Sequence, residues 1–319
     1  MEIIKLHHPY NKKEIPQQDT VLVLGFFDGV HRGHQAVINE GKKIAKEKDL
    51  KLAVMTFNRH PAIVYTRFNP DQHYYLTTLQ RKETIMEKIG VDILYEVDFT
   101  AKFGSLSPQD FVDDYIVGLN AKVAVAGFDY TYGKPEVASM EHLNQYAQNR
   151  FEVITVSPKI DKNGKISSTR IRKAIKEGKV GLAADLLGYY FETEGFVIHG
   201  DARGRTLGYP TANIYPDPYL LLPKRGVYAV ELFVNDKWYR GMASIGYNIT
   251  FEKRRNYSVE VHLFDFNEVI YGENVRVKWV EFLRDEIKFD SAESLVEQLG
   301  LDEIKARDIL WKRKSTMLM

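Results

Sequence analysis

The feature that most constrains the fold is a short apolar run that ends in a glycine-rich turn and continues as a helical pattern. The run is Val21–Leu24, the turn with its two histidines is Gly25–His34, and the helical spacing continues over Gln35–Lys48. Glycine lets a backbone turn sharply and approach a ligand closely. The first N–H groups of a helix are unpaired, and the helix dipole attracts anions. A strand, a turn and a helix of this kind therefore predict a site for nucleotide phosphates.

Two histidines, His31 and His34, stand three residues apart where this helix would begin. Imidazoles at that spacing share one helix face, so both can reach the same phosphate. Two alternatives stay open, namely histidines on a surface and half of a metal site. The strand–turn–helix context disfavours them, and the chain has no cysteine and no third histidine nearby in sequence that would complete a metal site.

Composition indicates a globular protein long enough for two ordinary domains, since the 319 residues are 44% hydrophobic and 27% charged. A net charge of +1 does not favour a nucleic acid partner. The absence of cysteine excludes disulfides and thiolate catalysis and fits a reducing compartment. No stretch has the pattern of a leader peptide or the roughly 18–20 apolar residues of a membrane span, so we expect a cytoplasmic protein with no membrane partner.

The first half of the chain alternates short apolar strands with amphipathic helices. Strands are predicted at Val21–Gly25, Leu52–Phe57, Ile93–Val97, Val123–Ala126 and Val153–Val156, and helices at Gln35–Lys48, Leu79–Ile89, Pro108–Leu119 and Met140–Asn149. Continuous apolar strands separated by helices predict an α/β, Rossmann-like domain with a parallel sheet covered on both faces. Ligands of such sheets bind beyond the carboxyl ends of the strands, where the histidine turn would lie.

The pattern changes near residue 186, after which the strands alternate apolar and polar residues. They are predicted at Phe191–Ile198, Val227–Val234, Trp238–Ile245, Tyr257–Phe264 and Asn274–Phe282. Asn235 and Asp236 predict a tight hairpin turn, and Ala292–Trp311 a closing amphipathic helix. We therefore expect a small antiparallel β-barrel, with one domain over residues 1–185 and the other over 186–319.

A second candidate phosphate site lies in the segment KISSTRIR. Ser168 and Thr169 stand where a helix would begin, and Lys165 and Arg172 flank them. Hydroxyl residues at such a position are also typical of simple helix caps. The flanking cations, together with the histidine turn, favour a clamp for a triphosphate.

A third candidate is the segment GFDYTYG, Gly127–Gly133, which follows a predicted strand. It would place Asp129 and several aromatic rings at the same sheet edge as the histidine turn. Aromatic residues near strand ends are also typical of ordinary packing, so this segment alone indicates little.

In the second half, Gly200–Asn213 is a loop rich in glycine and arginine, and the chain has no Walker sequence GxxxxGK[ST]. Thr211 and Asn213 are two residues apart, so on an extended backbone their oxygens face one way. A hydroxyl and an amide carbonyl suit Mg²⁺, which also keeps water and phosphate ligands. An ordinary surface loop is the alternative that stays open.

Glu260 is the other residue of interest there. Alternation places Val259 and Val261 on one strand face and Glu260 on the opposite one. It is either a solvated carboxylate or a general base that takes a proton from a substrate hydroxyl.

The motifs GFFDGVHRGH, GFDYTYG and ISSTRIR, in this order, resemble the adenylyltransferase module of the prokaryotic bifunctional riboflavin kinase/FAD synthetase family. The segments GRTLGYPTAN and VEVHLFDF resemble that family's riboflavin kinase domain. The resemblance extends over nearly the whole chain. It implies that ATP phosphorylates riboflavin to FMN and ADP in the second domain, and that a second ATP adenylylates FMN to FAD in the first, with release of pyrophosphate.

The resemblance also implies roles for single residues. His31 and His34 would stabilise charge on the α-phosphate, Glu260 would be the kinase base, and Thr211 and Asn213 would hold Mg²⁺. The adenylyltransferase site would further comprise Gly25, Phe27, Asp28, Gly33, Asp129, Lys165, Ser168, Thr169 and Arg172. The kinase site would further comprise Gly200, Arg203, Arg205, Gly208 and Pro210.

Other interpretations compete with the bifunctional enzyme. Ile249 stands where the family usually has proline, which leaves the flavin-pocket loop open. A single-activity FMN adenylyltransferase with an impaired barrel, a non-catalytic flavin-responsive binding protein, and a nucleotidyltransferase with another acceptor are the alternatives. The last leaves the barrel unexplained, and pure binding needs neither metal ligands nor a base. Nothing in the sequence decides the oligomeric state.

Overall fold

The computed structural model describes residues 1–67, 75–200, 203–247 and 257–312, which form two compact units. The first unit contains residues 1–67 and 79–167, and the second contains 75–78 and 168–312. Two helices that the sequence prediction assigned to the first domain thus pack with the second unit, and the domain boundary after residue 185 stays a prediction. Ile249 lies outside the described residues.

The first unit consists of a parallel sheet, its helices and a small hairpin. Its strands are β1 Glu2–Leu6, β2 Thr20–Leu24, β3 Lys51–Phe57, β4 Ile93–Val97, β5 Ala121–Gly127, β6 Glu152–Val156, β7 Ile160–Asp161 and β8 Gly164–Lys165. Its α-helices are α1 Arg32–Lys48, α2 Ala62–Tyr65, α3 Leu79–Ile89, α4 Ala101–Gly104, α5 Pro108–Val112 and α6 Met140–Ala147. A 3₁₀ turn occupies Lys12–Glu14 and a π-helical turn Asp113–Val117.

The six-stranded sheet has the order β1–β4–β3–β2–β5–β6, and all its neighbouring strands are parallel. From β2 the chain moves outward through β3 and β4, and it returns to the other side of β2 with β5. The strand order therefore reverses between β2 and β5, and open α/β sheets bind ligands beyond the carboxyl ends at such a point. The histidine turn follows β2 and the Asp129 segment follows β5, so two of the three motifs meet at this crevice.

Besides the short elements α2, α4, β7 and β8, which were not predicted, the first unit differs from the prediction in two places. The edge strand β1 was not predicted, because three of its five residues are exposed and it has no continuous apolar run. The helix predicted over Pro108–Leu119 ends at Val112 and continues as the π-helical turn. The other predicted strands and helices are confirmed to within a few residues.

The second unit is the predicted antiparallel barrel, which is closed and has the strand order β10–β13–β12–β11–β14–β9. Its elements are α7 Ser168–Lys176, α8 Val180–Leu187, β9 Glu192–Ile198, α9 Arg203–Thr206, β10 Ala212–Pro216, β11 Gly226–Val234, β12 Lys237–Tyr247, β13 Tyr257–Leu263, β14 Asn274–Arg284 and α10 Ala292–Lys312. Asn235 and Asp236 have φ of 49° and 59°, which is the tight hairpin turn that their sequence predicts. The short strand β10 was not predicted.

The final helix α10 packs on the barrel and is held there by an ion pair. Arg284 Nε and Nη2 donate to Asp302 Oδ2 at 2.9 and 2.7 Å, and both side chains are largely buried. Inside the barrel the fully buried Trp279 donates its indole N–H to Thr193 Oγ1 at 2.8 Å. Among the helices that the structure describes, none has the length and apolar character needed to cross a bilayer.

Candidate functional site

The loop that leaves β2 has an unusual backbone. Phe27, Gly29 and Val30 have φ of 55°, 80° and 32°, which is the left-handed region. Glycine accepts such angles readily, whereas each of the other two residues costs about 1–3 kcal/mol. The surroundings must therefore hold this loop, and Phe27, Asp28 and Val30 are indeed buried. A rigid backbone at the start of a helix presents its N–H groups to an anion in one fixed geometry.

The first histidine caps helix α1. His31 Nδ1 accepts a hydrogen bond from the backbone N–H of His34 at 3.2 Å, and the two rings stack with centroids 3.6 Å apart. Because Nδ1 accepts, the neutral ring of His31 carries its proton on Nε2, which is the donor suited to a phosphate oxygen. The ring of Phe27 lies edge-on against His34, with centroids 5.3 Å apart. Both imidazoles are thus placed at one helix end, as predicted.

Gly33 between the histidines permits a close approach of chain segments. A Cβ atom there would lie 3.0 Å from Cε1 of His31 and 3.3 Å from the carbonyl oxygen of Ile166. Ile166 belongs to the second candidate segment, KISSTRIR. The structure therefore brings the start of that segment against the beginning of α1, although the two are far apart in sequence.

Lys165 connects the second and third candidate segments. Its ammonium donates to Asp129 Oδ2 at 2.5 Å and lies 4.6 Å from the ring centre of Phe128. Asp129 is largely exposed just after β5, at the switch point of the sheet. The exposed ammonium of Lys165 can leave Asp129 and contact a bound phosphate, because a surface ion pair is weak.

Three residues of the predicted triphosphate clamp lie on helix α7. Ser168 is its first residue, followed by Thr169 and Arg172, and α7 belongs to the second unit. Thr169 is exposed, and the other two are half-buried. Their action on a phosphate held by α1 stays a prediction.

The sequence interpretation missed Lys82 of helix α3. Its side chain is buried, and its ammonium donates to the Phe26 carbonyl of the β2 loop at 2.8 Å. A signal was present, since Lys82 occupies the same helical stripe as the buried Ile85, Met86 and Ile89. A lysine on an apolar stripe indicates a specific buried partner.

In the barrel, strands β10 and β13 bring the predicted kinase residues together. Asn213 stands directly opposite Glu260 in the antiparallel register, and the Thr211 hydroxyl donates to Glu260 Oε2 at 3.4 Å. Val259 and Val261 are buried while Glu260 is half-buried, so the predicted alternation is confirmed. A carboxylate, a hydroxyl and an amide thus share one patch of the barrel surface.

The loop before β10 packs against this patch. A Cβ atom on Gly200 would lie 2.2 Å from Nδ2 of Asn213, so only glycine lets the amide lie against the loop backbone. The Pro210 carbonyl accepts a hydrogen bond from Nδ1 of His262 at 2.8 Å, which ties the loop to β13. Gly208 has a φ of 82°. Arg205 is exposed on α9, which begins at Arg203.

The oxygen atoms of this patch are suitable ligands for a magnesium ion. Thr211 and Asn213 offer two neutral oxygens beside the Glu260 carboxylate, and Mg²⁺ typically takes one or two protein ligands with water and phosphate oxygens. Within the described ranges, no group of three or more histidine and carboxylate side chains could hold a metal.

Comparisons with known proteins match both halves of the chain to families. Residues 13–170 match the FAD synthetase family, and residues 187–310 match the riboflavin kinase family. The chain is 51% identical to the bifunctional riboflavin kinase/FMN adenylyltransferase of Listeria monocytogenes, with 96% of this chain and 98% of that protein covered. For the protein of the same description from Bacillus subtilis the identity is 43%, with 96% and 97% covered.

A solved structure from Streptococcus pneumoniae, described as a macrolide-efflux protein, has a TM-score of 0.89 and 43% identity, with 97% of this chain and 99% of that chain covered. The likeness therefore extends through both units. Two family matches in the expected order, together with full-length relatives well above 30% identity, settle the relationship. The chain belongs to the bifunctional riboflavin kinase/FMN adenylyltransferase family.

Proposed function

We propose that this protein converts riboflavin to FMN in its barrel and FMN to FAD in its parallel-sheet unit. One observation carries the proposal: each half of the chain matches its own family and has the polar groups that its reaction needs. His31, which caps α1, and His34 lie where the strand order of the sheet reverses. Glu260 lies beside Thr211 and Asn213 on the barrel.

In the adenylyl transfer no protein nucleophile is required. A phosphate oxygen of FMN attacks the α-phosphorus of ATP, a new P–O bond forms, and the bond to the β-phosphate breaks as pyrophosphate leaves. Alignment and charge neutralisation therefore supply the catalysis. His31, through Nε2–H, and His34 would stabilise the charge that develops on the α-phosphate. Lys165, Ser168, Thr169 and Arg172 would hold the outer phosphates, while Asp28 and Asp129 would position ATP or flavin.

In the kinase reaction Glu260 would take the proton of the ribityl 5′-hydroxyl, and the hydroxyl oxygen would attack the γ-phosphorus of ATP. The bond between the β- and γ-phosphates breaks, and ADP leaves. Bound Mg²⁺ would supply positive charge to the phosphates. Thr211 and Asn213 would hold the ion, and the Gly200–Gly208 loop would enclose the nucleotide.

The substrates imply a simple set of partners. Riboflavin, FMN, FAD, ATP, ADP and pyrophosphate are all small and water-soluble, and the net charge of +1 gives no reason to expect nucleic acid. Flavin cofactors are used by enzymes inside the cell, so we place the protein in the cytoplasm.

The test is chromatography of the products formed from riboflavin, ATP and Mg²⁺. We expect FMN to appear first and FAD to accumulate from it, with both steps abolished by a chelator. A purified folded protein that forms neither product, with oxidised or with reduced flavin, would refute the proposal. Formation of FAD from FMN but no FMN from riboflavin would favour the single-activity alternative.

A further inference from the structure

Lys82 places a positive charge in the interior of the first unit. Only 3% of its surface is exposed, and it lies on the apolar stripe of α3. Removing an ammonium group from water costs several kcal/mol unless good partners replace the water. Its partners therefore indicate what a lysine does at this position.

The partners of Lys82 converge on one peptide group. The ammonium donates to the Phe26 carbonyl at 2.8 Å and to Thr56 Oγ1 at 3.1 Å. The Thr56 hydroxyl donates to the same Phe26 carbonyl at 2.8 Å. That carbonyl thus accepts two hydrogen bonds, one from helix α3 and one from strand β3. In addition, the ammonium lies 4.5 Å from the centre of the Phe26 ring.

Charge also favours an ammonium at this place. Burial is the largest influence and lowers the pKa of Lys82 to about 8, while the carboxylates of Asp28 and Glu96 act in the opposite direction. Asp28 belongs to the same loop as Phe26, and Glu96 lies on β4. The lysine therefore ties the loop by hydrogen bonds and by attraction to a loop carboxylate.

The Phe26 carbonyl, which accepts these two hydrogen bonds, lies just before the strained part of the loop. Phe27 and Val30 follow with left-handed backbone angles, and His31 comes next as the cap of α1. Such angles persist only where neighbouring groups hold them. The position of the His31 ring and of the first α1 N–H groups thus depends on an anchor at Phe26.

We propose that Lys82, with Thr56, is a positioning residue of the adenylyl-transfer site, which holds the β2–α1 loop so that its N–H groups and histidines meet the α-phosphate. The inference rests on the proposed function of the first unit. A merely structural role would lower the stability of the whole first unit, whereas this role predicts a fall in kcat in a first unit that is folded as in the wild type.

The first variant is Lys82→Met, which keeps an unbranched side chain of nearly the same length but removes the charge and both hydrogen bonds of the ammonium. We expect kcat for FAD formation from FMN to fall about 100-fold, since a displacement of about 1 Å at reacting groups can cost that much. The KM for FMN should change less than kcat. FMN formation from riboflavin in the same chain should stay at the wild-type rate. Wild-type hydrogen exchange in strands β2–β5 shows that the first unit is folded.

Thr56→Val is the milder variant, because it removes one hydroxyl and keeps the lysine. It should lower FAD formation in the same direction by about tenfold, which is less than for Lys82→Met, because the lysine keeps its own hydrogen bond to the Phe26 carbonyl. This variant tests the inference if Lys82→Met fails to fold. Lys42→Met is the matched control, since Lys42 donates to the Ile89 carbonyl at the far end of α3.

Hydrogen exchange gives a second readout that does not depend on activity. The backbone amides of residues 27–34 should exchange at least tenfold faster in Lys82→Met than in the wild type or in Lys42→Met. The inference would be overturned if folded Lys82→Met and Thr56→Val both form FAD within twofold of the wild-type rate. Unchanged hydrogen exchange of the loop would also overturn it. Either result would leave the proposed function intact. A wild-type protein that forms no FAD would overturn the proposed function together with it.

Discussion

Glu260 is the residue on which the proposed kinase step would depend most directly. Glu260→Gln keeps the size of the side chain and its position opposite Asn213, but the amide cannot take a proton. We expect the rate of FMN formation to fall by about 10²–10⁴-fold, the usual contribution of a general base. FAD formation from supplied FMN should be unchanged. Initial rates of the two reactions, measured separately, test this expectation.

Glu231→Gln is the matched control for that substitution. Glu231 is another strand carboxylate of the barrel, and it accepts a hydrogen bond from Lys278 at 2.7 Å. It should lower FMN formation by less than twofold. Equal losses in the two variants would mean that Glu260 acts through general charge or stability rather than as a base.

Glu96 gives the first unit a dependence of stability on pH. Burial, with a hydrogen bond to Glu83, raises the pKa of Glu96 from 4.5 to about 7, against the opposite influence of Lys5 and Lys82. Between these pH values the folded protein holds a proton that the unfolded chain releases. The stabilisation is therefore complete below pH 4.5 and is lost as the pH rises through about 7.

Glu96→Gln should remove this dependence, since an amide does not titrate. We expect the free energy of unfolding from urea titrations to fall less between pH 5 and pH 8 in the variant than in the wild type. Glu136→Gln, at an exposed position of the first unit, should behave like the wild type. The same pH dependence in Glu96→Gln and the wild type would contradict the assignment.

At the scale of elements, the beginning of α1 combines a structural and a chemical role in one residue. His31 accepts the hydrogen bond that caps the helix, and in the proposed reaction its ring also donates to the α-phosphate. Asparagine is a good N-cap residue. Alanine has no side-chain acceptor for the cap hydrogen bond, and its substitution lowers stability by about 1 kcal/mol. The two substitutions therefore separate the roles.

We expect His31→Asn to keep the stability of the first unit within about 0.5 kcal/mol and His31→Ala to lower it by about 1 kcal/mol. Both should reduce FAD formation by about 10²–10³-fold, because a donor to the developing charge is lost. FMN formation should not change. Thermal unfolding and initial rates measure the two effects, and an active His31→Asn variant would show that capping alone is required.

At the scale of the whole molecule, two sites on two compact units should work independently and share FMN as a free intermediate. A mixture of Glu260→Gln and His31→Asn chains should form FAD from riboflavin, because one variant makes FMN and the other uses it. A single chain that carries both substitutions should form neither product. Absence of FAD from the mixture, with each partner active in its own reaction, would show that FMN is not exchanged between chains.

Much of this architecture could be predicted from local patterns. The predicted bounds of Leu79–Ile89 and Ile93–Val97 agree with the structure, and the change of period near residue 186 comes shortly before the first barrel strand, β9. Periodicity reports which face of an element is buried, and that is a local property. The strands β1 and β10 were not predicted because they lack a clear alternating or continuous apolar pattern.

The amino-acid sequence alone determined the two fold classes, the order of the motifs and the residue types that each reaction needs, because all of these are written in short contiguous segments. Only the tertiary structure decided which distant groups meet. It places Lys82 on a carbonyl 56 residues away and a hydroxyl 26 residues away. It also sets Asn213 opposite Glu260. Such contacts follow from strand order and helix packing, which join segments that no local pattern connects.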